Sequence, residues 1–372
     1  MPLRKALGNV EPYRPARPAH EIQRALGLDT LIKLASNEGA FGPGPAALDA
    51  YHAAAASLGR YPDGAALSLR EALAERHGVA PAQVVIGNGA DELIRLCAVV
   101  AAEAGDRVVH PWPSFPSYPA SARVCGAEPV AVTLSARTAD LDAMLAAAAS
   151  PEEASLVYIA NPNNPTGTRV ADADLASFVA QLPRNALCVL DEAYAEYADP
   201  EPDGMALVRA GAESIAVLRT FSKVHGLAAL RVGYAVASPA VADALDRVRP
   251  IFNVSQPAQA AALASLQDAD AVRERTAHAR AATGRLAACM SGAGLDPQPS
   301  QANFVYAEVP PAMGDGAALA DRLMHQGVLV RALAGFGAAD AIRVTAGTDE
   351  EMAVFEAALA RVTAPGGASG PR

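Results

Sequence analysis

Leu156-Val-Tyr-Ile-Ala-Asn-Pro-Asn-Asn-Pro-Thr-Gly167 is the stretch on which the fold turns. Its first five residues are apolar, too short a run for a helix and without polar alternation. They read as a strand buried on both faces, the kind found in parallel sheets. Two Asn-Pro steps then end the run in a stiff loop that has few unfolded conformations to lose. Pro162 and Pro165 carry no N–H, so the asparagine amides are the polar tools of that loop. The competing reading is a plain loop and helix start, with Thr168 and Asp172 as caps.

Outward from this stretch the same texture repeats. Strand-like runs fall at 84–86, 107–110, 129–134, 186–190, 215–219 and 232–237, with helical patterns such as 90–102 and 173–181 between them. Strands alternating with helices predict an α/β fold, a mostly parallel central sheet with helices on both faces. Ligands of such sheets bind beyond the carboxyl ends of the strands. After about residue 255 the texture changes. Residues 258–292 predict a long helix and its continuation. Strands at 303–309, 328–331 and 342–345 then alternate with helices at 316–326 and 349–362, the pattern of a smaller α+β domain. The predicted organisation is an N-terminal arm over 1–40, a large domain over 41–257, a small domain over 258–363 and a disordered tail over 364–372.

The chain has 372 residues, 51% hydrophobic and 19% charged, which is ample for two to three domains with real cores. Its net charge of −10 argues against non-specific nucleic-acid or anionic-membrane binding, but not against a small anion held by a few local cations. Of the 30 basic residues 27 are arginine, leaving Lys5, Lys33 and Lys223 as the only candidates for chemistry that needs an amine. Genome composition alone is the competing account of that scarcity. Cys97, Cys125, Cys188 and Cys289 form no C-x-x-C pair and read as buried thiols of a reducing compartment, with no metal site implied. The start Met1-Pro-Leu-Arg-Lys5 lacks the apolar core of a secretory signal. The longest clean apolar run, 96–102, is far short of the ~20 residues of a membrane helix, so the expectation is a cytoplasmic protein.

Five segments carry chemistry. Gly87-Asn-Gly-Ala-Asp91 sits between a strand and a helix, where glycine admits a ligand and the helix start offers N–H groups to an anion. It lacks the third glycine of a dinucleotide fingerprint, and a plain tight turn is the competing reading. The asparagine loop of the opening is the second. Asp191-Glu-Ala-Tyr194 places a carboxylate at the end of a buried strand, which is costly without a cationic or N–H partner; an N-cap is the competing reading. Thr220-Phe-Ser-Lys223 puts a lysine after a core strand, where desolvation lowers its pKa and frees a nucleophilic amine able to form a Schiff base. Arg331 and Arg343, read as standing at strand ends of the small domain, have the fork that binds carboxylate or phosphate, although surface arginines are common in this chain.

Together, in order, these segments resemble the fold-type I, class I/II pyridoxal-phosphate aminotransferases, and within them the branch of histidinol-phosphate aminotransferases. The resemblance runs from Tyr13 to the helix after Thr348. It implies pyridoxal 5′-phosphate as cofactor, held by Lys223 through its amine. Lys223 would then move the proton at the substrate α-carbon. Asp191 would pair with the ring nitrogen, Tyr194 and Asn164 with the phenolate oxygen, and Phe115 would stack on the ring. Gly89, Ala90 and Asp91 would carry the phosphate, with Thr220, Ser222 and Arg231. Tyr61 resembles a tyrosine that reaches this phosphate from a second subunit, which implies a homodimer with shared sites. Arg343 would grip the α-carboxylate of the donor, Arg331 and Tyr13 the substrate phosphate, and Asn37 would line the pocket. The implied reaction is transamination between histidinol phosphate and 2-oxoglutarate. Phenylalanine or tyrosine transamination and threonine-phosphate decarboxylation are the alternatives, because the cofactor site alone does not choose the acceptor or the bond broken. The chain departs from the family pattern at Gly39-Ala40, Val224-His225, Pro116 and Ala346. Those in the arm and beside the lysine bear on the acceptor. His225 is read as either a pocket group or a packed histidine, with packing favoured.

Overall fold

The computed structural model describes residues 5–10, 18–150 and 152–364. Among the described residues thirteen strands fall in three sheets. In chain order they are β1 (Ile32–Lys33), β2 (Val84–Gly87), β3 (Arg107–Trp112), β4 (Glu128–Thr133), β5 (Leu156–Ala160), β6 (Leu187–Asp191), β7 (Ile215–Thr220), β8 (Gly233–Ala237), β9 (Asp296–Pro297), β10 (Phe304–Glu308), β11 (Val328–Leu329), β12 (Arg331–Leu333) and β13 (Ala338–Thr345).

The main sheet has seven strands in the order β2-β8-β7-β6-β5-β3-β4. From β7 to β4 every pairing is parallel, while β8 runs antiparallel to both its neighbours. Strands β2, β5, β6, β7 and β8 are buried at every residue. That follows from helices on both faces. Val157, Ile159, Cys188, Leu190 and Val217 pack on one side. Leu156, Tyr158, Leu187, Val189, Ala216 and Leu218 pack on the other. Each such valine, leucine or isoleucine side chain removed from water stabilises the fold by about 1.5–3 kcal/mol, so a polar residue inside these strands has to be compensated.

The second sheet, β12-β13-β10-β9, is wholly antiparallel. Helices Ala269–Gly292, Gly316–His325 and Asp349–Thr363 cover one face of it through a core that includes Leu286, Leu319, Phe355 and Leu359. Its other face carries Phe304, Tyr306, Arg343 and Arg331 towards the main sheet's carboxyl edge, as their contacts below show.

Several expectations change. Residues 328–331 are not one strand. β11 pairs in parallel with β1, and the chain then crosses into β12. Arg331 therefore opens a strand and Arg343 lies inside one, so neither stands at a carboxyl end. The arm is more structured than its aperiodic sequence suggests, with a helix at Ala19–Leu26 closed by Gly27 in the left-handed conformation. The 258–292 segment divides at Asp268, whose carboxylate caps the second helix on Ala271 N–H. Cys97 and Cys188 are buried, whereas Cys125 and Cys289 are half-buried. Among the described residues no helix is long and apolar enough to cross a membrane. The tail call beyond Ala364 lies outside the described residues.

Candidate active site

At the corner where β2 ends and the helix Gly89–Ala101 begins, backbone meets backbone. A Cβ on Gly89, whose φ is +76°, would strike the Arg231 guanidinium. A Cβ on Gly233, at the start of β8, would lie 2.8 Å from Ala90 N. This closeness needs glycine at both positions, and it brings Arg231 to a helix start whose first-turn N–H groups have no intrahelical acceptor. Arg231 itself has left-handed backbone (φ +53°). Its Nη1 lies 3.4 Å from Ser222 Oγ and 3.0 Å from Ala228 O. Thr220 Oγ1 donates to Ser222 Oγ at 3.0 Å and accepts Ser222 N–H at 3.1 Å. Ser117 Oγ donates to Asp91 Oδ1 from the helix Ser117–Cys125. A guanidinium, two hydroxyls and a helix N-terminus in one corner make an anion cup.

The asparagine loop spends two of its three amides on itself. Asn161 closes on Val170, accepting its N–H at 2.8 Å and donating to its carbonyl at 3.1 Å. Asn163 donates to Thr166 Oγ1 at 2.8 Å and Pro113 O at 3.2 Å, and accepts from Ser114 Oγ at 2.8 Å. Asn164 alone is left for the site, where its Oδ1 accepts from Arg343 Nη1.

Asp191, the last residue of β6, is 6% exposed. Its Oδ2 accepts from Tyr118 OH at 2.8 Å and its Oδ1 from Ala193 N–H at 3.1 Å. Burial pushes its pKa up, opposed by these two bonds and by Lys223. Tyr194 is also buried, which raises its pKa; its hydroxyl accepts from Asn37 Nδ2 at 2.9 Å and its ring meets Phe304 edge-on at 5.1 Å. Lys223 Nζ lies 5.5 Å from the centre of that ring and 3.4 Å from Ser36 O. Burial first, and then the Arg343 charge, lowers the Lys223 amine to about 8. Phe115 is half-buried, edge-on to Tyr118 at 5.8 Å.

Opposite this edge stands the small sheet. Tyr306, Arg343 and Arg331 are register neighbours across β10, β13 and β12, so their side chains share one face. Arg343 is 3% exposed, with its guanidinium 5.2 Å from the ring centres of both Phe304 and Phe336. Its Nη2 donates to Ala35 O at 3.1 Å, a carbonyl that Arg331 Nε also reaches at 3.3 Å. Burial pulls Arg343 down to about 10, and its Nε has no partner among the described residues. An unpartnered donor on a buried cation is expensive unless an anion meets it.

The arm closes the site. Asn37, at φ +55°, donates its N–H to Thr345 Oγ1 at 2.9 Å and accepts from that hydroxyl at 3.2 Å. Asn303 Nδ2 donates to Asn37 O at 3.3 Å. A Cβ on Gly39 would lie 2.7 Å from Lys223 O, so one of the departures noted above abuts the lysine's own backbone. His225 is packed, with Nδ1 2.8 Å from Ser265 Oγ and its ring 4.7 Å from Phe221.

The fold thus brings together Gly89, Ala90, Asp91, Thr220, Ser222 and Arg231 in the cup, and Asp191, Tyr194, Lys223, Asn164, Arg343, Arg331 and Asn37 beside it. Tyr61 stands apart, 82% exposed and stacked on Phe252 at 4.7 Å. Tyr13 lies outside the described residues. Sequence reasoning missed Tyr118, Thr345 and Asn303. Tyr118 had one available signal: it follows Phe115 by three residues, the span of a tight turn, which its N–H closes on Phe115 O at 3.2 Å.

Residues 29–359 match the family model for aminotransferase class I and II. The histidinol-phosphate aminotransferase of Symbiobacterium thermophilum is 43% identical over 96% of this chain and 97% of its own length. Histidinol-phosphate aminotransferase 2 of Pseudomonas aeruginosa is 42% identical over 95% and 96%. Among solved structures, the Sinorhizobium meliloti histidinol-phosphate aminotransferase in complex with pyridoxal-5′-phosphate superposes with a TM-score of 0.89 at 32% identity, covering 97% of both chains.

Proposed function

The chain belongs to the class I and II aminotransferase family, and from that premise we propose that it exchanges an amino group between histidinol phosphate and 2-oxoglutarate in histidine biosynthesis. The products are imidazole acetol phosphate and glutamate, and the cofactor is pyridoxal 5′-phosphate. The observation that carries the reading is Lys223, a lysine of lowered pKa between a buried carboxylate and a buried arginine with one donor unspent.

The residues present fit that cofactor. Its phosphate suits the cup of Ala90 and Asp91 N–H, Thr220, Ser222 and Arg231, in a cradle that a side chain on Gly89 would fill. Its ring nitrogen suits Asp191, its phenolate oxygen suits Tyr194 and Asn164, and Phe115 suits its ring face. When bound, the cofactor supplies an electron sink for the bond broken at the substrate α-carbon. Lys223 would hold the cofactor through its amine and would move the proton at the substrate α-carbon. An amine held near 8 does both, because neither its neutral nor its charged form is scarce at neutral pH. Burial raises the Asp191 pKa, and the bonds that its two oxygens accept from Tyr118 and Ala193 oppose that rise, favouring the charged form that a ring N–H would meet. Arg343 fixes the α-carboxylate, and its bond to Asn164 ties that grip to the cofactor's side of the site. Arg331 takes the substrate phosphate, a role the family resemblance also implies for Tyr13.

The finer reading is a cytoplasmic homodimer. Tyr61 and Ile251, 82% and 83% exposed beside Phe252, are large apolar groups that a second copy would cover. That copy's phosphate cup is where Tyr61 would act. The chain divides into an arm over 1–40, a large domain over 41–257 and a small domain over 258–363. The separate seven-stranded and four-stranded sheets support this, although β1 of the arm pairs with β11 of the small domain and Gln256–Gln267 buries Ala258, Ala261 and Ala262 in the main core.

A panel of amino donors tests the function. We expect kcat/KM to be highest for histidinol phosphate against phenylalanine and threonine phosphate. Faster turnover of phenylalanine would replace this reading with aromatic transamination.

A further inference from the structure

We propose that Tyr118 is a positioning residue for Asp191, fixing through one hydrogen bond both the direction of that carboxylate and its hold on the cofactor's ring nitrogen. The proposal rests on the reading of Asp191 given above.

Among the described residues the Tyr118 hydroxyl has one hydrogen-bond partner. Tyr118 is wholly buried, and the acceptor of its hydroxyl is Asp191 Oδ2 at 2.8 Å, 73 residues away in sequence. Its ring lies face to face on Tyr158, with centroids 4.7 Å apart and planes 13° apart, and edge-on to Phe115. Tyr158 does not compete for the carboxylate, since its own hydroxyl donates to Ile94 O at 2.7 Å. The two ring contacts and the first turn of the helix Ser117–Cys125 leave the phenol no room to swing. Burial and the Asp191 charge both raise its pKa, so it stays a donor at any working pH.

An ionised carboxylate offers about two acceptor sites on each oxygen. Tyr118 fills one on Oδ2, and Ala193 N–H fills one on Oδ1. One acceptor site on each oxygen remains, enough to meet a ring N–H donor. Loss of the phenol would raise the basicity of an already desolvated carboxylate and let it turn. A proton shared with the ring nitrogen would then move towards Asp191.

The test is the dissociation constant of pyridoxal 5′-phosphate from the holoenzyme, together with the pH midpoint of the bound cofactor's absorbance. Tyr118→Phe keeps both ring contacts and removes only the donor. We expect it to weaken cofactor binding about tenfold, the scale of one hydrogen bond to a charged group, and to displace the absorbance midpoint. Tyr158→Phe removes an equally buried hydroxyl that does not touch Asp191, and should leave both readouts within about twofold. Equal effects of the two changes would overturn the proposal by making Tyr118 merely structural. Asp191→Asn separates the proposal from the reading beneath it. If Asp191→Asn leaves the dissociation constant unchanged, the role of Asp191 itself is wrong. If Asp191→Asn weakens binding and Tyr118→Phe does not, only the Tyr118 proposal falls. In the Asp191→Asn background Tyr118→Phe should add less than about twofold, whereas fully additive losses would show that it does not act through Asp191.

Discussion

The carboxyl edge of the main sheet and the inner face of the small sheet both present charged groups to one site, but they place them differently. On the main sheet each functional residue follows the end of a strand, where the chain leaves the core: Gly89 after β2, Asn164 after β5, Asp191 ending β6, Lys223 after β7. Each is positioned by its own strand and the loop after it. On the small sheet the arginines sit within strands and are aligned by register, Arg331 opposite Arg343 and Arg343 opposite Tyr306. They are then tied from above by one carbonyl of the arm, Ala35 O. The edge is suited to chemistry at one fixed group, and the face to gripping a substrate whose charges are spaced like the strands.

That contrast predicts different kinetic signatures. The largest effect belongs to the edge. Lys223→Ala should lower kcat by at least a thousandfold, the upper scale of general acid–base catalysis, and equally for every donor. A loss that depended on the donor would place Lys223 in recognition rather than chemistry.

The face should fail in KM instead. Arg343→Gln removes the buried charge proposed to hold the α-carboxylate of glutamate, so kcat/KM should fall about a hundredfold for glutamate and less for histidinol phosphate, which has no carboxylate. Cofactor affinity should change little. If it fell by as much, the bond from Arg343 to Asn164 would be serving the cofactor and the two regions would not be separable. Arg331 is half-buried and its effect should be smaller and selective. Arg331→Ala should raise KM about tenfold for the phosphorylated substrate and much less for glutamate. Equal effects on both would remove the phosphate from its role.

The same contrast explains what could be read from sequence. Strand ends announce themselves, because an apolar run that stops at Asp191 or Asn161 has to leave the core there. The main-sheet strands and four of the five chemical segments are legible for that reason. The face is not, since register is a property of two strands at once. Arg331 and Arg343 could be picked as forks, but not as neighbours, and the strand boundary at Val330 was invisible in a continuous apolar run. The partners that hold the site are further still. Asn37 meets Thr345 across 308 residues, and Tyr118 meets Asp191 across 73. Neither pairing has a local pattern. The arm's helix Ala19–Leu26 lies between proline-rich and glycine-containing stretches that read as coil. The role proposed for Tyr61, 82% exposed in this chain, needs a second copy.

The smallest predicted effect joins the two regions. Covalent uptake of the cofactor by the empty enzyme needs the Lys223 amine neutral, and that amine is held at about 8. A lysine with lowered pKa loses its proton on the alkaline side of that value, so uptake should quicken as pH rises and level off above it. Between pH 7 and pH 8 the neutral fraction grows about fivefold, and stopped-flow absorbance should follow it. Burial is the first cause of the shift, and the Arg343 charge, contributed by the opposite sheet, is the second. Arg343→Gln should therefore move the midpoint towards the ordinary lysine value and slow uptake at pH 7. An unmoved midpoint would mean that the edge sets its own lysine by desolvation alone, and that the face bears on substrate only.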